Sequence, residues 1–226
     1  LELAATVDDP RRYRAVISGG MMSLADLRAL WREACPPLVW YAHETHMTYP
    51  HPPKGANHEE FFHADVANML AADAVVFNSE THRKRFLREL EGKWPNLISR
   101  AAERSHVLYP GCWYAPQPAV LDERRRPGPL RIVWNHRWEF DKEPGQFLAV
   151  LEQLRAHGGD FELILMGEPP WAAEGHGGRH NHSFEKIRRR FSDRILHVGW
   201  VPERRDYYAW LSEGDVIPST AIQENF

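Results

Sequence analysis

The stretch LRIVWNHRWEFDKEPGQFLAVLEQLRAHGGDFELILMG, residues 130–167, decides the fold class of this chain. It starts with the apolar run LRIVWN, passes through a polar turn, forms a helical pattern from Pro144 to Ala156, and ends in a second apolar run. Proline is favoured in the first turn of a helix, and short apolar runs are typical of buried parallel strands. Strand, helix and strand in this order predict a parallel sheet with right-handed crossovers.

The same alternation extends in both directions from this stretch. Ser23 and Ser79 stand where N-caps belong, directly before amphipathic runs, so each predicts the start of a helix. Downstream, the pattern predicts helices over 183–191 and 207–211, and strands over 194–200 and 214–218. Upstream, it predicts strands over residues 13–18, 37–42, 74–78 and 105–109. Gly19 and Gly20 follow the first of these strands and favour a tight turn there.

A proline- and charge-rich stretch interrupts the alternation at 116–129 and has the composition of a linker. The predicted architecture is therefore α/β, with two Rossmann-like lobes, residues 1–115 and 130–226, whose parallel sheets face each other across a cleft. The chain opens without a clear first strand and stops on a loop after a strand. We therefore expect the first lobe to be incomplete at its start and the second at its end.

Bulk properties narrow the possible functions. A net charge of −3 argues against a globally basic nucleic-acid binder, although it leaves room for a local basic face. No apolar run approaches the roughly 20 residues that a membrane span needs, and the first residues lack the pattern of a signal peptide. The two cysteines form no CxxC pair, which agrees with a reducing compartment. We expect a cytoplasmic protein.

Polar residues at predicted strand ends form the candidate donor site, because ligands of parallel sheets bind beyond the carboxyl ends of the strands. Arg137 offers a planar fork and Lys142 a mobile point charge, both suited to phosphate, and both precede the amino end of the helix that starts near Pro144. A departing nucleoside diphosphate gains negative charge, which fixed cations stabilise. The remaining candidates at strand ends are Asn135, Gly167, Ser219, Thr220 and Glu224.

The segment YAHETHMTYP supplies the candidate residues of the first lobe. His43 and Glu44 follow a predicted strand, and His46 comes two residues later. The spacing HETH lacks the i, i+4 histidines of the HExxH motif, so we do not expect a zinc hydrolase. Histidines also occur in two polar loops, but without the spacing of a zinc site, and we expect no metal; they are His51, His58, His63, His176, His180 and His182. The basic run Arg83–Arg88 is the better candidate for contact with RNA phosphate.

Several of these stretches together resemble the tRNA-queuosine alpha-mannosyltransferase family, whose members are retaining glycosyltransferases with a GT-B fold. The specific ones are WNHRWEFDK and STAIQENF; SGGMMSLADLRAL, WYAHETHMTYP and ADAVVFNSETHRKRFL add to them. The segment around His43 departs from the family, which has a sequence closer to His-Glu-Asn-Gln where this chain has His-Glu-Thr-His.

The resemblance implies transfer of mannose from GDP-mannose to queuosine in tRNA, with retention at the anomeric carbon and without a cofactor or catalytic metal. It implies that Arg137 and Lys142 contact the donor diphosphate and that His43 lies by the transferred sugar. Glu224 would be the first glutamate of a paired motif, touching sugar hydroxyls. The candidate residues on the acceptor side are Gly19, Gly20, His43, Glu44 and His46.

Two other functions remain open at this level. The same fold and donor class could act on a small molecule, a lipid or a polysaccharide. Alternatively, the chain could be a nucleotide-sugar or RNA-binding protein without catalysis.

Overall fold

Two parallel sheets, one in each half of the chain, organise the structure. The computed structural model describes residues 6–20, 22–50, 59–111, 128–167 and 181–224. The chain divides into two compact units, residues 1–113 together with 224–226, and residues 114–223. Each unit has its own sheet and its own buried apolar cluster.

The sheet of the first unit has four strands in the order of the sequence, each parallel to its neighbour. They are β1 (Val16–Ser18), β2 (Leu38–Ala42), β3 (Ala74–Phe77) and β4 (Ser105–Val107). Parallel neighbours bring their carboxyl ends to the same edge of the sheet. The residues that follow β1, β2 and β3 therefore meet along one edge.

Helices cover this sheet, and two of them begin at the N-caps that the sequence predicts. Ser23 and Ser79 are the N-caps, since the Ser23 hydroxyl accepts from Asp26 N at 3.2 Å and the Ser79 hydroxyl from His82 N at 3.0 Å. The α-helices are α1 (Leu24–Trp31), α2 (Glu59–Ala71), α3 (Glu80–Lys93) and α4 (Ile98–Arg104). Short 3₁₀ turns occur at Pro10–Arg12, Arg32–Ala34 and Pro95–Leu97.

The core of the first unit lies between the sheet and these helices. Trp40 of β2 and Phe77 of β3 are fully buried and pack on Phe86 of α3, with ring centroids 5.9 and 5.2 Å apart. Leu27 of α1 and Met69 of α2 complete the same cluster. Burial of these large side chains supplies the main stabilisation of the unit.

The second unit has three parallel strands and one additional bridge. Its strands are β5 (Leu130–Trp134), β6 (Phe161–Leu165) and β7 (Ile195–Val198), in that order. Val216 pairs with Ile132 in a parallel bridge, and Val133 N donates to Val216 O at 2.9 Å. Because Ile132 also pairs with Leu163 of β6, the segment around Val216 lies on the other side of β5.

Helices pack on both faces of this second sheet, as expected for a doubly wound α/β unit. They are α5 (Pro144–Ala156), α6 (Asn181–Arg190) and α7 (Arg204–Glu213), with 3₁₀ turns at Phe140–Lys142 and Ser192–Arg194. Trp134, Phe147 and Phe184 lie in the cluster under α5 and α6, whereas Ile164 and Met166 pack toward Tyr207 and Trp210 of α7.

Several predicted boundaries were wrong by a few residues. The first strand begins at Val16 rather than at residue 13, because pairing with β2 starts at Val16 and Leu38. The strand predicted over 214–218 reduces to the bridge at Val216, and Pro218 has no N–H with which to continue it. The short helix predicted over 207–211 is longer, because its apolar side packs on β5 and β6.

Within the described ranges, every helix is too short or too polar to cross a lipid bilayer.

Candidate functional site

The second unit contains a topological switch point at the carboxyl end of β5. From β5 the chain passes to β6 and β7 on one side, and then returns to the segment of Val216 on the other side. Ligands of open α/β sheets bind where the strand order reverses in this way. The turn after β5 carries Asn135, Arg137 and Lys142, and the loop after Val216 carries Ser219 and Thr220. Both segments therefore border the same switch point.

Hydrogen bonds hold these two segments together. The Thr220 hydroxyl donates to Lys142 O at 2.7 Å, and Ile222 N donates to Asp141 O at 2.8 Å. The Thr220 hydroxyl also lies 3.2 Å from Glu143 O. The structure thus brings Lys142 and Thr220 together, 78 residues apart in sequence, while Ser219 beside them is exposed and its hydroxyl accepts from Ala221 N at 3.5 Å.

The two cations predicted for the diphosphate differ in their surroundings. The Arg137 side chain is 59% exposed and pairs with Glu139, with Nη1 to Oε1 at 3.1 Å. The Lys142 side chain is only 15% exposed, and its Nζ lies 3.4 Å from Oδ2 of buried Asp141. An exposed ion pair contributes little stability, so the Arg137 guanidinium can exchange Glu139 for another anion at small cost. Lys142 is held in place.

The backbone between Lys142 and α5 takes an unusual conformation. Glu143 has φ 49°, in the left-handed region that residues other than glycine rarely adopt. This turn lets Pro144 start α5, and Glu143 O accepts from Gln146 N and Phe147 N at 2.9 and 3.2 Å. The amino end of α5, where the helix dipole favours an anion, is thereby fixed beside Lys142.

Gly167 follows β6 at a point where only glycine fits. A Cβ at this position would overlap His136 O and would lie 3.0 Å from Trp138 Nε1. The glycine therefore lets the end of β6 pack against the turn that carries Arg137. This gives Gly167 a packing role, and its predicted contact with the donor stays a prediction.

Asn135 is half-buried and is tied to α7. Its Nδ2 donates to the Tyr207 hydroxyl at 3.2 Å. Its Oδ1 is buried and, among the described residues, meets no hydrogen-bond donor. Asn135 can therefore accept a further hydrogen bond at the carboxyl end of β5. Tyr207 was absent from the sequence prediction, because a tyrosine on a helix is usually a packing residue.

In the first unit, His43 and Glu44 are exposed and directly follow β2. The His43 ring packs edge-on against Tyr41, with centroids 4.5 Å apart, and Tyr41 donates through its hydroxyl to Leu108 O at 2.8 Å. Gly20 lies against this segment, since a Cβ there would be 3.5 Å from Glu44 O. Gly19 is exposed, and neither glycine has a positive φ.

His46 binds an acidic side chain of α2. Its Nδ1 lies 3.2 Å from Oδ1 of Asp65, and its ring stacks on Phe61 at 5.1 Å. Met47 N donates to the other carboxylate oxygen of Asp65 at 2.9 Å. Burial raises the pKa of the Asp65 carboxyl, while the hydrogen bonds from Met47 and His46 oppose this. His46 therefore helps to fix the loop on α2.

Buried polar residues that the sequence prediction missed lie beneath the same loop. Asn78 Nδ2 donates to His43 O at 2.6 Å, His82 Nδ1 lies 3.0 Å from Asn78 Oδ1, and His82 Nε2 lies 3.2 Å from Thr45 Oγ1. Burial lowers the pKa of His82 to about 4, outweighing an opposing hydrogen bond with the Ala42 backbone. The one available signal was the FNSETH segment, in which Ser79 marks the helix start.

Glu224 is exposed and belongs to the first of the two compact units, so its predicted role in binding the donor sugar stays a prediction. In the described ranges, no three histidine, cysteine, aspartate or glutamate side chains come together as a metal site would need. His63 and His182 are among these residues, whereas His51, His58, His176 and His180 lie outside the described ranges.

Known proteins are similar to the first half of the chain and to the chain as a whole. Residues 1–112 match the family described as tRNA-queuosine alpha-mannosyltransferase N-terminal. Over the whole chain, tRNA-queuosine alpha-mannosyltransferase of Drosophila melanogaster is 26% identical in an alignment of 247 residues. Residues 1–112 therefore belong to this N-terminal family, and the whole chain is similar to the fly protein. The chain spans 62% of the length of the fly relative, so that protein extends beyond the aligned part.

Solved structures with a similar fold cover nearly the whole chain. Sucrose-phosphate synthase from Thermosynechococcus elongatus superposes with a TM-score of 0.69 at 16% identity, covering 95% of this chain and 52% of its own. An alpha,alpha-trehalose 6-phosphate synthase from Burkholderia multivorans gives 0.64 at 18% identity, covering 100% of this chain and 53% of its own. TarM superposes with a TM-score of 0.63 at 13% identity, covering 99% of this chain and 39% of its own. These likenesses and the two parallel sheets confirm the GT-B fold class.

Proposed function

We propose that this chain is the greater part of a retaining glycosyltransferase that moves mannose from GDP-mannose to queuosine in tRNA. The observation that carries the proposal is the alignment of the entire chain with the fly tRNA-queuosine alpha-mannosyltransferase. The match of residues 1–112 to the N-terminal family of the same name supports it independently of the donor unit. Because the proposed acceptor is a tRNA, the proposed location is the cytoplasm.

The switch point of the second unit supports a nucleotide-sugar donor site. Arg137 and Lys142 are the proposed contacts of the diphosphate, with the amino end of α5 beside them. Asn135, Gly167, Ser219 and Thr220 are the further proposed contacts of the donor, and Glu224 is the proposed contact of the sugar hydroxyls. A GDP product carries negative charge that develops as it leaves, so fixed positive groups lower the barrier.

The proposed reaction is a front-face substitution at the anomeric carbon of mannose. An acceptor hydroxyl oxygen bonds to this carbon on the face from which the diphosphate oxygen leaves, and the hydroxyl proton passes to the departing diphosphate. His43 is the proposed neighbour of the transferred sugar, with Glu44, His46, Gly19 and Gly20 on the acceptor side. The positive charge for this step comes from protein side chains, and the proposal includes no cofactor and no metal ion.

The experiment that tests this function uses the full-length protein that contains this chain. It is incubated with GDP-mannose and bulk tRNA, one batch containing queuosine and a matched batch lacking it. The expected result is a gain of one hexose in mass on the queuosine-containing tRNA alone. Release of GDP without a change in either tRNA would refute the acceptor and would leave a glycosyltransferase with another acceptor. Binding of GDP-mannose or tRNA without turnover would identify a binding protein instead.

A further inference from the structure

A series of buried hydrogen bonds lies directly beneath the exposed His43–Glu44 pair. Thr45 and His82 are 2% and 0% exposed, and Asn78 is also fully buried. Asn78 follows β3, and His82 lies in the first turn of α3, close to the N-cap Ser79. These residues connect the loop after β2 to the start of α3. None of the three is among the site residues predicted from the sequence.

The geometry determines which atoms donate in this series of hydrogen bonds. The Asn78 amide nitrogen must face His43 O, because at 2.6 Å two oxygens would repel each other. The Asn78 amide oxygen therefore faces His82 Nδ1 at 3.0 Å, and this ring nitrogen carries the proton. A neutral imidazole with a proton on Nδ1 has a lone pair on Nε2. The Thr45 hydroxyl, 3.2 Å away, donates to it.

The same donor-to-acceptor order extends into the loop after β2. Because the Thr45 hydroxyl proton is used by His82, the Thr48 hydroxyl at 2.8 Å donates to Thr45 Oγ1. The hydrogen bonds that link Thr48, Thr45, His82, Asn78 and His43 then run in one consistent direction. The low pKa of His82, caused mainly by burial, keeps the ring neutral over the physiological range, as this direction requires. A protonated ring would need to donate from both nitrogens.

We propose that Asn78, His82 and Thr45 are positioning residues, which hold the His43–Glu44 segment in the geometry needed for glycosyl transfer. This inference rests on the proposed function. On one side of Glu44, Asn78 binds the backbone carbonyl of His43. On the other side, His82 binds the side chain of Thr45. The loop thereby presents both exposed side chains from a fixed backbone. Fully satisfied buried networks stiffen and specify local structure in this way.

The two residues that follow Glu44 bind residues of their own unit. Thr45 binds His82, and His46 binds Asp65 of α2. Both residues therefore anchor the loop that presents His43 and Glu44.

The test compares four variants of the full-length protein. Thr45→Val removes the hydroxyl while keeping the shape of the side chain, and Thr45→Ser keeps the hydroxyl. Asn78→Asp replaces the group that donates to His43 O by a carboxylate oxygen that repels it. The matched control is Ser105→Ala, which removes another buried hydroxyl, one that accepts from Arg83 Nε at 2.8 Å and donates to Ala102 O at 3.0 Å at the start of β4.

Two measurements are made on each variant. Amide hydrogen exchange follows Thr48 and Tyr49, whose N–H groups donate to Thr45 O at 3.1 and 2.9 Å. We expect exchange about fivefold faster in Thr45→Val and Asn78→Asp, as for the loss of one hydrogen bond, and unchanged in Thr45→Ser and Ser105→Ala. Steady-state transfer follows kcat and the KM for GDP-mannose. In the first two variants we expect kcat to fall about tenfold to hundredfold with KM unchanged, because only the orientation of the loop changes.

The outcomes separate this inference from the proposed function. Unchanged exchange in Thr45→Val and Asn78→Asp would overturn the positioning role, whatever the activity. Faster exchange with wild-type kcat would overturn its importance for the reaction. If the wild-type protein transfers no mannose to queuosine-containing tRNA, the proposed function fails, and the exchange data still decide whether these residues fix the loop.

Discussion

Arg137 and Lys142 carry the same formal charge, but their side chains differ in exposure to solvent. Arg137 is mostly exposed and forms a surface ion pair with Glu139. Lys142 is largely buried beside Asp141, and its carbonyl accepts from Thr220. Of the two proposed diphosphate contacts, Arg137 is therefore the one whose side chain can be removed with the smaller effect on the fold.

Removal of the Arg137 side chain should weaken donor binding without unfolding the protein. A charge-assisted hydrogen bond contributes about 1.5–3 kcal/mol, so we expect Arg137→Ala to raise the Kd for GDP about tenfold to hundredfold by calorimetry. Arg188→Ala is the control, since Arg188 is also an exposed arginine that pairs with a nearby glutamate, Glu185. Equal Kd values for Arg137→Ala and the wild type would contradict the donor-site assignment.

Gly167 tests whether the turn after β5 has to pack tightly against β6. Gly167→Ala places a methyl group on His136 O, so the turn that carries Arg137 must shift. We expect a decrease of about 1–3 kcal/mol in the free energy of unfolding, as for other overpacked sites, together with weaker binding of GDP. Denaturant unfolding measures the first effect and calorimetry the second. Gly92→Ala is the control, because a Cβ at Gly92 would meet nothing within 4 Å.

At the scale of elements, α3 combines two separate tasks. Its first turn anchors the loop of His43 through His82, and Asn78, directly before the N-cap, donates to His43 O. Its outer face carries Lys84, Arg85 and Arg88, which are exposed, whereas Arg83 donates to Ser105 and pairs with Glu80. The basic run of the sequence therefore divides into one structural arginine and three side chains open to solvent.

The exposed basic face of α3 is the proposed contact for tRNA phosphate. Replacing Lys84, Arg85 or Arg88 singly by alanine should weaken tRNA binding and lower the slope of log K against log salt by about one for each phosphate that the protein no longer neutralises. Filter binding at several salt concentrations measures this slope. Lys186→Ala in α6 of the other unit is the control. An unchanged slope in all three variants would place the tRNA on another surface.

At the scale of the whole molecule, stability should depend on pH through His82. The pKa of His82 is lowered in the folded state from its ordinary value of 6.5 to about 4. Between these values the unfolded chain binds more protons than the folded one, so stability falls as the pH decreases from 6.5 towards 4. The full effect of such a shift is about 3 kcal/mol.

Unfolding by urea at a series of pH values measures this dependence. We expect the free energy of unfolding of the wild-type protein to decrease over this window. A His82→Gln variant should show a shallower decrease, because glutamine keeps a polar side chain that does not titrate. His157→Gln is the control, since His157 is exposed. Identical slopes for wild type and His82→Gln would show that His82 is not buried in its neutral form.

Much of the fold could be predicted from the sequence because local signals were strong. Ser23 and Ser79 mark helix starts that the structure confirms, and the apolar runs identify the described strands β1 to β7 within a few residues of their observed bounds. The last predicted strand failed because pairing requires a neighbour in space. Among the described residues of this segment, only Val216 forms a bridge with β5, and Pro218 has no N–H to donate.

Residue types at the strand ends can be read directly from the sequence, and its motifs indicate the family. Arg137, Lys142 and His43 were visible because charge and position after an apolar run are local properties. The contacts between distant residues became visible only in the folded chain: Lys142 with Thr220, Asn135 with Tyr207, and His82 with Thr45. Hydrogen bonds between segments far apart in the chain depend on how the strands are ordered, and local pattern carries no record of that order.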